Sequence, residues 1–119
     1  MQKTRWLSRV RRGLLMGVAL ACAAGWAAYP ERPIKIVVPF SPGGGTDSIT
    51  RTLGSGMAQA LGQAVVVDNK PGAGTIIGSD LVAKSAPDGY TLVMATFAHA
   101  VNPSLVSKLP FDTEKAFSP

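Results

Sequence analysis

The sequence carries one cysteine, one histidine and few aromatic side chains, 7% of its 119 residues. A single Cys cannot close an internal disulfide, and one His among scattered carboxylates has no metal-ligand spacing. No metal and no cofactor are therefore expected. A Ser/His/Asp hydrolase would have to use His99, the only histidine, yet there is no G-x-S-x-G elbow and Ser41 precedes Pro42 rather than a helix. No Gly-Lys-Ser/Thr follows the Gly-rich stretches, which excludes a P-loop. Charge is sparse too, at 16% of residues, and the net +5 is unevenly placed. Residues 1–28 hold Lys3, Arg5, Arg9, Arg11 and Arg12 and no acid, whereas from Tyr29 onward seven basic residues meet seven acidic ones. A neutral body gives no case for nucleic acid.

The basic segment reads as a leader. A cationic stretch to Arg12 is followed by the uncharged run 13–24, and Gly25-Trp26-Ala27 offers the small-x-small pattern of a signal peptidase site. Residues 1–27 are expected to be a signal peptide cut after Ala27, leaving a mature segment 28–119. The apolar run is shorter than the ~20 residues a membrane span needs, so the mature chain is expected in the periplasm and not embedded in a membrane. Arg11-Arg12 faintly resembles a twin-arginine signal. Cys22 reads as a small apolar residue of the leader, and its removal leaves no thiol.

The mature segment alternates apolar runs with helical spacing. Residues 34–40 read as a β-branched strand. Residues 47–61 read as a helix with Ile49, Leu53, Met57, Ala60 and Leu61 on one face, capped by Thr46 or Asp47 and ended by Gly62. A second strand is expected at 64–67, a shorter helix at 76–83, a turn at Pro87-Asp88-Gly89 and a third strand at 91–96. Asn102-Pro103 reads as an N-cap followed by Pro at the first helical position, opening a short helix through Val106. Near-continuous apolar strands imply a parallel sheet covered on both faces, hence an α/β fold of three layers, α/β/α, with right-handed crossovers. Three strands and about 90 residues make a small core, some 60–65% of the unfolded surface.

Ligands of open α/β sheets sit at the carboxyl ends of the strands. Three loops fall there: 39–47, 69–75 and 96–100. The first two are Gly-rich and feed helix N-termini, so their backbone N–H groups can approach an anion without any Arg. The same glycines also serve tight strand-to-helix turns. A dinucleotide fingerprint fits poorly, since Ser48 stands where a third Gly belongs, although Asp68 lies at a suitable offset. Asp47 reads first as a cap and dipole partner of the helix, and otherwise as a holder of water or of an ammonium group.

The motifs Tyr29-Pro30-Glu31-Arg32-Pro33-Ile34, Val37-Val38-Pro39-Phe40-Ser41-Pro42-Gly43-Gly44-Gly45-Thr46-Asp47 and Leu61-Gly62-Gln63-Ala64-Val65-Val66-Val67-Asp68-Asn69-Lys70-Pro71-Gly72-Ala73-Gly74 occur in that order. Ala86-Pro87-Asp88-Gly89-Tyr90-Thr91-Leu92, Asn102-Pro103-Ser104-Leu105 and Leu109-Pro110-Phe111-Asp112 follow them. Together these resemble the Bug-type extracytoplasmic solute receptors of tripartite tricarboxylate transporters, across the whole mature segment. The resemblance implies a type II periplasmic binding protein-like fold, of which 28–119 would be the N-terminal part of lobe one. It also implies a small carboxylated solute (tricarboxylate, dicarboxylate or related acid) delivered to the membrane subunits of a transporter. The ligand carboxylate would be held by backbone amides and ordered waters. Carried over, this assigns Phe40, Ser41, Gly43, Gly44, Thr46 and Asp47 in loop one, Asn69, Gly72, Ala73 and Gly74 in loop two, and Thr96, Ala98 and His99 on the third edge. The sequence departs from the family at Gly74-Thr75-Ile76, where Gly-Gly-Asn is more usual.

Two functions from different classes follow. A binding receptor needs no nucleophile or metal set, in keeping with the residues present. An enzyme or signalling sensor on the same sheet would need catalytic groups beyond residue 119. A micromolar receptor requires about 8.2 kcal/mol of binding free energy, whereas association itself costs ~4–15. Half a cleft open to water is therefore expected to bind carboxylates negligibly.

Overall fold

The computed structural model describes residues 29–119; the expected leader and its cleavage point lie outside the described residues. Strand β1 spans Ile34–Val38, helix α1 Gly45–Leu61, β2 Val65–Asn69, α2 Ile76–Ala83, β3 Thr91–Val93 and α3 Phe97–Leu105, with a short 3₁₀ turn Ala73–Thr75 leading into α2. The three strands are parallel in the order β2-β1-β3. Ile34 pairs with Val65 and Val38 with Asn69, while Lys35 pairs with Thr91 and Val37 with Val93. This is the parallel α/β sheet that the apolar strands imply.

The chain steps from β1 to β2 in one direction and returns past β1 to β3. With right-handed crossovers that reversal puts α1 and α2 on opposite faces. Helix α1 packs on β2 and β1, and α2 on β3 and β1. The central strand is consequently the core: Ile34, Ile36, Val37 and Val38 are all buried. Pro39 ends this strand two residues earlier than expected because it has no N–H for the ladder. β2 runs two residues further than expected, since Lys70 N–H still donates to Val38 O at 2.8 Å. β3 is shorter than the expected 91–96; its last ladder bond runs from Met94 N–H to Val37 O at 2.9 Å.

Helix α1 turns much of its apolar face away from the sheet. Its buried residues are Asp47, Thr50 and Gly54, whereas Ile49 and Leu53 are 62% and 50% exposed. Close approach to the sheet explains this orientation. A Cβ on Gly54 would lie 3.3 Å from Val65 Cγ1, so the helix seats its small residues on β2 and turns its apolar stripe outward. The N-cap is Gly44 rather than Thr46 or Asp47, because the helix starts at Gly45; no side chain caps it. Gly62 ends it in the left-handed conformation (φ 66°), its N–H donating to Ala58 O, as the spacing predicts.

Helix α3 also departs from expectation. Residues 97–100, read as loop, form its first turn, with Thr96 as N-cap, and Pro103 lies inside the helix. Asn102 is buried and its side chain is used elsewhere, so it caps nothing. Among the described residues no helix is long and apolar enough to cross a membrane.

The amino-terminal end of the sheet is fastened by a separate cluster. Tyr29 Oη donates to Gly89 O at 2.6 Å and Glu31 N–H to Tyr90 Oη at 2.9 Å. Arg32 donates to Asp88 Oδ2 at 2.8 Å and lies 4.1 Å from the centre of the Tyr90 ring, which meets Tyr29 edge-on. Two of the motifs that carry the family resemblance thus close on each other, at the end opposite the strand-to-helix loops.

Candidate functional site

Each strand delivers its chain to a helix start at the carboxyl edge of the sheet. In loop one, Ser41, Gly43 and Gly44 are exposed, Phe40 and Thr46 half-buried. Because α1 begins at Gly45, the N–H groups of its first turn have no partner within the helix and point out of its end.

Asp47 sets the shape of this loop. It is 4% exposed, and both of its oxygens are engaged. Oδ2 accepts from Gly43 N–H at 2.9 Å and from Arg51 Nε at 3.0 Å, and Oδ1 accepts from Asn69 Nδ2 at 2.9 Å. The bond from Arg51, then those from Gly43 and Asn69, favour the carboxylate and hold its pKa at about 2, below the ordinary 3.8. The bond to Gly43 reaches back past the N-cap Gly44 and holds the loop just before the helix. The carboxylate is thus committed to the loop, and so is the Gly43 N–H.

Asn69 joins loop one to loop two. Its Nδ2 also donates to Phe40 O at 3.1 Å, and its Oδ1 accepts from Arg51 Nη2 at 3.0 Å. Phe40, Gly43, Asp47, Arg51 and Asn69 thereby form one closed polar network. Asp68, the acid weighed for a dinucleotide fingerprint, instead lies between Lys70 Nζ at 3.4 Å and Lys35 Nζ at 3.9 Å.

Loop two turns through Gly72 (φ 133°), Ala73 (φ 47°), Gly74 (φ 61°) and Thr75 (φ 80°). Gly72 also gives room: a Cβ there would meet Ile77 Cδ1 at 2.5 Å. Ala73 and Gly74 are exposed, and Thr75 is buried. Asn102 of α3 donates to Gly74 O at 3.0 Å and to Thr75 Oγ1 at 3.1 Å. The third edge is therefore tied to the second.

On that third edge, Thr96 caps α3 through its backbone, its carbonyl accepting from His99 N–H at 2.9 Å. Its Oγ1 is buried with no hydrogen-bond partner among the described residues. Ala98 is half-buried. The His99 ring meets Phe117 edge-on at 4.8 Å and stacks at 6.2 Å on Phe111. His99 accordingly belongs to an aromatic cluster with Phe111 and Phe117. Among the described residues no three His, Cys, Asp or Glu side chains gather as a metal site. Hollows of about 580 and 430 Å³ lie elsewhere, along Pro103–Glu114 and beside Ser48, Ile49, Thr52 and Leu53.

Sequence reasoning missed Arg51, Thr75 and Asn102. Arg51 was legible as the i+4 partner of Asp47. Nothing local marks Asn102, whose partners are 27 and 28 residues away.

The family model for the tripartite tricarboxylate transporter family receptor matches residues 49–119. Protein BugT of Bordetella pertussis is 43% identical over 114 residues, covering 93% of this chain and 34% of that protein. A Pseudomonas sp. (strain P51) protein from the tcbD-tcbE intergenic region is 42% identical over 115 residues, 92% of this chain and 34% of its own length. The chain thus spans about a third of the length of the curated relatives it matches. Among solved structures, the periplasmic binding protein BugD superposes with a TM-score of 0.74 at 43% identity, over 76% of this chain and 30% of BugD. MatC from Rhodopseudomonas palustris, solved with bound malate, gives 0.73 at 38% identity, over 76% and 31%. A second R. palustris protein, solved with adipate, gives 0.68 at 33%, over 72% and 29%. With these motifs, this sheet and this likeness, the chain belongs to the Bug-type receptors of the tripartite tricarboxylate transporter family.

Proposed function

We propose that this segment supplies the carboxylate-gripping edge of an exported, periplasmic solute receptor that passes a small organic acid to membrane transporter subunits. The observation that carries the reading is the continuous carboxyl edge, in which Asn69 joins loops one and two and Asn102 joins loop two to α3. Donors come from the first turn of α1, from Ser41 and Thr46, from the backbone of Gly44, Gly72, Ala73 and Gly74, and from the Thr96 hydroxyl. Phe40, Gly43, Asp47 and Asn69 hold that edge in shape, with Ala98 and His99 behind the third segment. A carboxylate suits such a rim because N–H groups at helix starts carry partial positive charge without needing a basic side chain. The role is binding, not catalysis. The malate and adipate held by two structural neighbours support an aliphatic dicarboxylate as the ligand class.

The test is a chimaeric receptor in which residues 29–119 replace the matching segment of MatC. Thermal shifts across di- and tricarboxylates, amino acids and aromatic acids should single out the dicarboxylates, with malate titrated by calorimetry. Gly45→Pro removes one N–H at the first helical position, where Pro is tolerated. It should weaken malate about tenfold, the worth of one hydrogen bond to a charged group. A folded chimaera that answers to no carboxylate overturns the reading.

A further inference from the structure

Loop two is held in a conformation its side chains oppose. Ala73 and Thr75 both lie at positive φ, 47° and 80°, a region that L-residues enter rarely and β-branched ones least of all. Such backbone persists only where its surroundings over-determine it. Thr75 is 6% exposed and Asn102 is 8% exposed. Asn102 Nδ2 has two hydrogens, and both are used, on Gly74 O and Thr75 Oγ1. The opposite end of the same peptide is fixed as well, because Thr75 N–H donates to Gly72 O at 3.1 Å. The Gly74–Thr75 peptide is thus pinned at both ends, and its plane sets the direction of the neighbouring N–H groups of Ala73 and Gly74.

We infer that Asn102 is a positioning residue for the solute site: from α3 it holds Gly74 and Thr75 left-handed and so aims the loop-two backbone donors at the ligand. The inference rests on the carboxylate reading above. Glycine enters this region without strain, whereas threonine brings the hydroxyl by which Asn102 can hold it.

The chimaeric receptor distinguishes positioning from simple support. Three quantities are read: malate affinity, amide exchange of the segment 69–77 without ligand, and the ligand-free melting temperature. Asn102→Ala should weaken malate about tenfold and speed exchange in that segment by a similar factor, as loss of hydrogen bonds to buried groups predicts. In a Thr75→Gly background the same change should cost only about twofold, because the pair is coupled. A purely supporting Asn102 would lower the melting temperature, leave the affinity of the folded receptor unchanged, and show no such coupling; that result overturns the inference. If Asn102→Ala does not fold, Asn102→Ser, which retains one donor, should give an intermediate loss, and unchanged affinity there is equally fatal. If the parent chimaera folds but binds no malate, the carboxylate reading fails, and exchange alone decides Asn102: acceleration sustains its hold on loop two, and no acceleration removes it.

Discussion

Asp47 Oδ1 and Asn69 Nδ2 meet at 2.9 Å, and this bond fastens the loop that leaves β1 to the last residue of β2. Asn69 makes two further bonds, to Phe40 O and from Arg51, so its amide is the centre of the network. Asn69→Ala should lower stability by about 1–3 kcal/mol through partners left unsatisfied. Urea unfolding of the chimaeric receptor measures it, and a loss below about 0.5 kcal/mol, the range of ordinary surface changes, would count against the network.

The same network makes acid stability depend on Asp47. Its pKa falls from 3.8 to about 2 on folding, through Arg51 first and then Gly43 and Asn69. A depressed folded-state value means stability that is fully present above pH 3.8 and lost as pH falls towards 2. Asp112, lowered by the N–H groups of Lys115 and Glu114, acts in the same direction. Melting temperatures of the parent and Asp47→Asn should therefore differ at neutral pH and converge as the pH nears 2; parallel curves across this range would contradict the assignment.

Two glycines of α1 should respond oppositely. Gly56 has nothing within 4 Å of a built Cβ, whereas Gly54 faces Val65 Cγ1 at 3.3 Å. Gly56→Ala should stabilise by about 0.5–1 kcal/mol through helix propensity. Gly54→Val should destabilise by about 1–3 kcal/mol through overpacking. Equal responses would mean that α1 does not sit on β2 at this distance.

The outward stripe of α1 is tested by contrast with the core. Ile49→Gln and Leu53→Gln should each change stability by less than about 0.5 kcal/mol in residues 29–119 as folded here. Val37→Ala, at a site with no exposure, should cost about 1.5–3 kcal/mol. Circular dichroism melts of the chain decide between them.

Elements with a strong local signature were legible. The β-branched runs gave the parallel sheet, Gly62 gave the end of α1, and the Gly-rich loops fell at the carboxyl edge. The orientation of α1 was not legible, because periodicity locates an apolar stripe without saying which face approaches the sheet. Gly54 took a buried position since only a small residue allows so short a distance from Val65. Asn102-Pro103 misled for a related reason. Its local pattern is that of a helix start, but the Asn side chain is drawn to Gly74 and Thr75, contacts no local pattern encodes. Asp47 was legible as a residue near a cap, while its bond to Asn69 needed the β1–β2 pairing to exist.

The cluster of Tyr29, Glu31, Arg32, Asp88, Gly89 and Tyr90 joins residues 56 to 60 positions apart. At roughly 5–20 residues made per second, its first half waits some 3–12 s for its second. During that interval the central strand Ile34–Val38 can pair with at most one of its two neighbours, since Thr91–Val93 follows directly after Asp88–Tyr90. The newborn chain therefore presents its most apolar strand with an open edge through that interval, and mispairing there is the hazard to which its earliest folding is exposed.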